Sequence, residues 1–169
     1  MAPTNPDLPS AEPALKRRDI LTFSSGEAFQ PFHYSVGAFG TRFFDELKKN
    51  RRFMGVRCPG CKKVYVPPRP VCGPCYLPMT EWVPVGPLGT VIAFTMLRFA
   101  FIDPETGQKK PVPYGYGFIR LDGADTSLQH FLQVDEKAPI HIGMRVRPIL
   151  EDVMNGNLRD IRHFEAEKK

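Results

Sequence analysis

Four cysteines are the residues whose type and spacing point most directly to a chemistry. The chain has 169 residues, and Cys58, Cys61, Cys72 and Cys75 form two C-x-x-C pairs separated by ten residues. Each pair can turn two thiolates toward one ion, and four thiolates suit tetrahedral Zn²⁺ with bonds of about 2.3 Å. The spacing therefore predicts a structural zinc site with these four ligands. Iron in a rubredoxin-type site has the same ligand set and stays an alternative.

A closed four-sulfur site has a consequence for catalysis. It leaves no coordination position for water or substrate and no spare cysteine as a nucleophile. A redox dithiol fits poorly, because thioredoxin-like motifs use one pair within a βαβ pattern. The sequence contains neither an H-E-x-x-H zinc motif nor a G-x-S-x-G elbow. We therefore predict no catalytic residue in this chain.

The charge is uneven along the chain. The net charge is +5, with 12 basic and 6 acidic side chains in residues 1–80 but 11 and 12 in residues 81–169. A basic first half would attract phosphates or an acidic partner surface. We therefore consider six cations of this half as candidate contacts to phosphates or to a partner: Arg51, Arg52, Arg57, Lys62, Lys63 and Arg69. Lys109 and Lys110, in the proline-rich loop 103–113, are further candidates for such contacts.

The first half of the chain divides into three parts. Residues 1–35 are proline-rich at the start, and the apolar residues that follow show neither helical nor strand periodicity. This pattern predicts an extended arm that lies on another surface, such as that of a partner chain. Residues 36–52 predict a helix with Thr41 as its N-terminal cap, because Phe39, Phe43 and Leu47 recur on one face. Residues 53–85, with short extended runs around the cysteines, predict the zinc ribbon.

The second half, residues 86–169, reads as a series of strands. Runs rich in β-branched and aromatic residues, broken by turn residues, cover 89–101, 114–121, 128–134, 144–150 and 158–164. Five strands predict a small Greek-key OB-fold barrel, and an SH3-like barrel is the alternative. Gly115 and Gly117 indicate a bulge or a close backbone approach, and His130 reads as a structural strand residue. The fold class is mainly β with an N-terminal helix.

Several of these segments together resemble a known family. The sequence resembles small acyl-CoA-associated proteins with an N-terminal helix, a rubredoxin-like zinc ribbon and a C-terminal OB-fold. The resemblance covers about residues 38–164, and its most specific part is V-P-P-R-P-V-C at 66–72 beside the two cysteine pairs. It extends to the runs at 43–47, 86–91, 113–115, 119–123 and 142–146. Among such proteins the chain is most similar to the accessory subunit of a two-component thiolase of the 2-benzoylsuccinyl-CoA type.

The resemblance implies a non-catalytic accessory subunit. By that resemblance the four cysteines hold structural zinc, and a thiolase-like partner supplies the catalytic residues, with acyl-CoA bound through the hetero-oligomer. It also implies a place in anaerobic degradation of toluene through benzylsuccinate, and the alternative partner is an acyl-CoA hydratase or acyltransferase. A nucleic-acid-binding module is the other alternative, which the net charge of −1 on residues 81–169 disfavours.

The sequence also carries an expectation about location. It has no run of 18 apolar residues and its first 19 residues lack the apolar core of a signal peptide. We therefore expect a cytoplasmic protein that does not insert in a membrane, and in that compartment clustered cysteines favour a metal over disulfides.

Overall fold

The computed structural model describes residues 35–100, 102, 107–109, 111–135 and 139–167. Of the predicted arm at 1–35, all but Ser35 lies outside the described residues, as does Lys110. The described elements confirm a mainly β chain with one helix, a three-stranded ribbon sheet and a closed barrel of five strands.

The helix, α1, runs from Gly37 to Asn50 and buries Phe43 and Leu47, as the apolar periodicity predicts. The prediction that Thr41 caps its start is wrong. Thr41 Oγ1 donates a hydrogen bond to the Gly37 carbonyl oxygen at 2.7 Å, so Thr41 lies one turn inside the helix. The helix begins earlier, after Val36 at the N-cap position, and its first N–H, that of Gly37, donates to the Ser35 hydroxyl at 3.1 Å.

Three short strands form the ribbon sheet. They are β1 (Phe53–Arg57), β2 (Val64–Tyr65) and β3 (Glu81–Val85), in the order β2-β1-β3 with antiparallel pairing. All residues of β1 except Arg57 are buried, since this central strand has α1 packed against it. The sheet therefore places one cysteine pair directly after β1 and the other shortly before β3.

The barrel contains the other five strands. They are β4 (Gly89–Leu97), β5 (Tyr114–Leu121), β6 (Leu128–Leu132), β7 (Arg145–Leu150) and β8 (Ile161–Ala166). They close in the order β4-β5-β6-β8-β7, with β6 and β8 parallel and β4 paired to β7. This order confirms the OB-fold and excludes the SH3-like alternative. The predicted strand at 158–164 is partly wrong, because Leu158–Asp160 form a 3₁₀ turn before β8 begins.

The ribbon and the barrel share one hydrophobic core. Phe53, Val64, Val66 and Val85 of the ribbon lie in the same buried cluster as the apolar side chains of the barrel strands. Two residues of the β5–β6 turn also attach the ribbon by hydrogen bonds. The Asp125 carboxylate accepts the Val64 N–H at 2.8 Å, and the Thr126 hydroxyl accepts the Val66 N–H at 2.7 Å.

The glycines of β5 permit a close approach between strands. A Cβ on Gly117 would lie 2.6 Å from the Ala93 carbonyl oxygen of β4, within a ladder that pairs Phe94 with Gly117. The bulge itself occurs on β4, where the register shifts between Val91 and Ala93. The interpretation of Gly117 as a close backbone approach is therefore confirmed.

We expect Gly117→Ala to lower the free energy of unfolding by about 1–3 kcal/mol, because the added methyl group overpacks a backbone that cannot yield. Urea unfolding followed by far-UV circular dichroism would measure the loss. Gly73→Ala is the matched control, since its Cβ would meet only the flexible end of Arg69, at 3.8 Å. Equal unfolding midpoints for the two variants would contradict the close approach.

Candidate metal centre and adjoining groove

The two C-x-x-C pairs fold as equivalent turns. After the first pair the Lys62 N–H donates to the Cys58 carbonyl oxygen at 3.1 Å, and after the second the Tyr76 N–H donates to that of Cys72 at 2.9 Å. Lys62 and Tyr76 both have left-handed backbone conformation, with φ of 64° and 56°. Each turn thereby bends the backbone back on itself, and both turns direct their sulfurs to the same place.

The four sulfur atoms lie close enough to bind one ion. All of them are within 4.8 Å of one another, and Cys61 Sγ is 3.7 Å from Cys72 Sγ. A tetrahedral site with Zn–S bonds of about 2.3 Å requires sulfurs about 3.8 Å apart. The structure therefore brings the four predicted ligands together with spacing that suits zinc. Cys58 and Cys72 are fully buried, whereas Cys61 is exposed at the outer edge.

The protonation of these thiols also favours a cation. A hydrogen bond with Tyr65 lowers the pKa of the Cys72 thiol to about 6, and that bond raises the pKa of the Tyr65 hydroxyl to about 12. The hydrogen bond with Cys61, together with burial, raises the pKa of the Cys75 thiol to about 12. The raised pKa keeps the proton on the Cys75 thiol at neutral pH unless a positive charge compensates the thiolate. A divalent ion supplies that charge, and its binding would release the remaining protons.

An apolar groove adjoins the ribbon. It has a volume of about 850 Å³, and residues 35–40 at the start of α1, the proline loop 67–70 and strands β5 and β6 form its walls. Tyr116, Leu128 and Leu158 line the barrel side, while Phe43 and Phe44 line the helix side. Sequence reasoning missed this groove, because its walls come from five separate segments that only the tertiary fold brings together.

The structure gives the predicted cations several different surroundings. The Arg69 guanidinium lies over the Tyr65 ring at 4.8 Å from the centroid and lines the groove. Arg52 and Arg57 form ion pairs with Glu46 and Glu81, so their charges are partly neutralised. Arg51 donates to the Asp152 carbonyl oxygen at 2.9 Å. Of these four arginines, only Arg69 lines the groove.

The predicted lysines lie elsewhere. Lys62 and Lys63 are exposed on the turn after the first cysteine pair. Lys109 pairs through its backbone with Ile102 in an isolated bridge, and Lys110 lies outside the described residues. Contacts of all eight cations with coenzyme A or with a partner stay a prediction.

Comparison with known protein families bears on both halves of the fold. Residues 45–76 match the rubredoxin-like zinc ribbon domain of ChsH2, and residues 82–150 match the C-terminal OB-fold domain of ChsH2. The two matched segments follow one another in the same order as the ribbon and the barrel of this fold. The ChsH2-type ribbon contains all four cysteines, which agrees with their arrangement around a common centre.

Solved structures with the same fold include two from related groups. A protein of unknown function from the DUF35 family of Sulfolobus solfataricus has 20% identity and a TM-score of 0.56, over 78% of this chain and 87% of its own. A chain of the structure described as "Ltp2-ChsH2(DUF35) aldolase" has 22% identity and a TM-score of 0.57, over 79% and 98% respectively. No curated protein sequence matches this chain.

The described part of the chain contains no helix with the length and apolar character that a membrane span requires.

Proposed function

We propose that this chain is a non-catalytic, zinc-binding accessory subunit of a thiolase-type acyl-CoA enzyme. In this role it supports assembly of the complex and shapes the path by which substrate and coenzyme A reach the partner's active site. The observation that carries the proposal is the groove of about 850 Å³ between α1, the proline loop and the barrel. The reaction we favour is cleavage of an aromatic acyl-CoA of the 2-benzoylsuccinyl type, in anaerobic toluene degradation.

The groove has the chemistry for a CoA thioester. Aromatic side chains and the ring carbons of prolines 67, 68 and 70 offer an apolar surface to an acyl or pantetheine chain. Arg69 presents the face of its guanidinium to Tyr65, which leaves the N–H donors at its edge directed elsewhere and available to a phosphate. One cation beside an apolar channel matches the alternation of phosphate and apolar chain in coenzyme A.

The structures of similar fold support a hetero-oligomer. A ChsH2 chain of similar fold occurs together with Ltp2 in a structure described as an aldolase. That description favours a second candidate, in which the partner of this chain is an aldolase. Both partners would act on carbon–carbon bonds, but a thiolase consumes free coenzyme A as the attacking thiol, whereas a retro-aldol cleavage does not.

The charge of the barrel disfavours the alternative of nucleic-acid binding. Arg145, Arg147 and Arg162 each form an ion pair with a carboxylate on a neighbouring strand or turn. Phosphate binding would have to break these pairs, so the barrel presents a poor surface for a polyanion. Salt-sensitive micromolar binding of oligonucleotides to the full chain would reverse this ranking.

The test uses the complex formed with whatever enzyme co-purifies with the full chain. We expect Ala38→Trp to lower turnover of acyl-CoA by about tenfold or more, because Ala38 is exposed on the groove wall and an indole there would fill the channel. Turnover would be followed with and without added coenzyme A, which separates a thiolase from an aldolase.

Lys49→Trp is the matched control, because Lys49 is an exposed residue of α1 outside the groove lining. Unchanged turnover in both variants would remove the groove from the proposal. A partner that is fully soluble and active without this chain would overturn the accessory role itself.

A further inference from the structure

Tyr65 brings a buried hydroxyl to the cysteine cluster. The side chain is 5% exposed, and its hydroxyl oxygen lies 3.5 Å from Cys72 Sγ. A buried hydroxyl requires a partner, and a metal-bound thiolate carries no proton. The hydroxyl must therefore be the donor once a metal occupies the centre, and Cys72 is the acceptor.

The ring of Tyr65 is held from two sides. Its backbone pairs with Val56 in the ribbon sheet, where Tyr65 packs in a small buried cluster with Val56, Cys58, Cys72 and Met79. On the outer side the Arg69 guanidinium stacks on the ring at 4.8 Å. With both sides occupied, the ring has little freedom to turn its hydroxyl away from Cys72.

We propose that Tyr65 is a positioning residue of the metal centre. Its hydroxyl orients the Cys72 thiolate and withdraws part of its negative charge, and Arg69 fixes the ring that carries the hydroxyl. Arg69 also belongs to the proline loop that forms one wall of the groove, so metal binding and the shape of that wall are mechanically connected. The inference concerns the metal centre and does not depend on the proposed enzymatic partner.

The direct test is Tyr65→Phe in the full chain loaded with Zn²⁺. Loss of a partner that hydrogen-bonds a metal ligand typically lowers metal affinity by about 10–100-fold. We expect zinc to transfer to a chromogenic chelator at least about tenfold faster from the variant than from the wild type. In the Co²⁺-substituted protein, the sulfur-to-cobalt charge-transfer bands should shift to lower energy, because the Cys72 thiolate becomes a stronger electron donor.

Tyr76→Phe is the matched control, since Tyr76 follows the second cysteine pair and is 82% exposed. It should leave both the transfer rate and the cobalt spectrum unchanged. If Tyr65→Phe behaves like this control, the proposal is overturned. A rate change that occurs without a spectral shift also overturns it, because such a change reflects general loosening of the ribbon.

A second variant covers the case in which Tyr65→Phe does not fold. Arg69→Gln leaves the Tyr65 hydroxyl in place but removes the stacked guanidinium. We expect zinc transfer about two- to threefold faster than from the wild type, a smaller increase than the one expected for Tyr65→Phe. Arg57→Gln is its control, because the Arg57 guanidinium pairs with Glu81, whereas the guanidinium over the Tyr65 ring is that of Arg69. Equal zinc transfer rates from these two variants would overturn the proposal that Arg69 fixes the Tyr65 ring.

Discussion

Cys72→Ser is expected to abolish zinc binding and to unfold the ribbon. Cys72 is fully buried in a small cluster with Val56, Cys58, Tyr65 and Met79, against which the partly buried Phe39, Cys75 and Trp82 pack. The cysteine side of the ribbon therefore depends on the metal, whose binding contributes about 10–16 kcal/mol in zinc-finger peptides. Elemental analysis should therefore find close to one zinc ion per wild-type chain and almost none in the variant.

The single tryptophan of the chain reports on the ribbon separately from the barrel. Trp82 lies in β3, stacked on Phe39 with ring centroids 5.4 Å apart and beneath the Arg42 guanidinium. Its fluorescence should shift to longer wavelength in Cys72→Ser as the ribbon opens and water reaches the indole. Far-UV circular dichroism, which is dominated by the barrel, should change less.

The barrel is nevertheless expected to lose stability in this variant. Val64 and Val66 of the ribbon are buried in the core that the barrel shares, and Asp125 and Thr126 hydrogen-bond to their backbone. We expect the barrel to keep its strands but to melt several degrees lower, at roughly 4–8 °C for each kcal/mol lost in a unit of its size. The ribbon is therefore a part of the barrel's core as well as a metal site.

Met79→Leu provides the control for Cys72→Ser. Met79 is buried in the same cluster, and the exchange conserves volume, so its cost should be below about 1.5 kcal/mol. This variant should bind zinc and keep the Trp82 emission of the wild type. Full zinc binding with unchanged Trp82 emission in Cys72→Ser would show that the four-sulfur centre does not maintain the ribbon.

Local sequence signals predicted most of the strands. β1, β3 and β5 begin and end where their runs of β-branched and aromatic residues do, because proline, glycine and aspartate stand at their boundaries. The order of the strands around the barrel followed only from the assumed OB-fold and not from the strands themselves. The parallel pair between Leu132 and Phe164, for example, joins residues far apart in the chain. Nothing local to either strand determines that pairing.

The metal centre was predictable from spacing, but its surroundings were not. The four cysteines lie within 18 residues as two C-x-x-C pairs, and two equivalent turns bring their sulfurs together. The contact of Tyr65 with Cys72 and the bond from Val64 to Asp125 depend on the tertiary fold, the latter across 61 positions. Asp125 stands among turn residues between β5 and β6, and nothing in that local pattern indicates its role in joining the ribbon to the barrel.

Asp160 is the second residue whose replacement should have a large effect. Its side chain is fully buried, and its carboxylate accepts the backbone N–H groups of Asn155 and Gly156 at 2.7 Å each and of Asn157 at 3.2 Å. The last of these bonds completes a capping box, in which the Asn157 side chain caps the same 3₁₀ turn. The predicted strand at 158–164 concealed this arrangement, although the pattern N-x-x-D at 157–160 indicates a cap.

We expect Asp160→Ala to lower the free energy of unfolding by about 3 kcal/mol or more. Loss of its acceptor costs a buried N–H about 1–3 kcal/mol, and here three part-buried N–H groups lose the same carboxylate. At roughly 2–4 °C for each kcal/mol, the melting temperature should fall by about 6–12 °C. Differential scanning calorimetry of the zinc-loaded chain would measure the change.

The position of Asp160 links this loss of stability to the groove. The 3₁₀ turn that it caps carries Leu158, which lines the groove and whose carbonyl oxygen lies 3.2 Å from His130 Nε2. Asp160→Ala should therefore loosen one wall of the groove while zinc binding by the four ribbon cysteines stays intact. Asp152→Ala, an exposed change in the same loop, should cost less than about 0.5 kcal/mol. If the two aspartate variants melt at the same temperature, the carboxylate of Asp160 does not hold this loop, and the wall at Leu158 must be maintained by its apolar contacts alone.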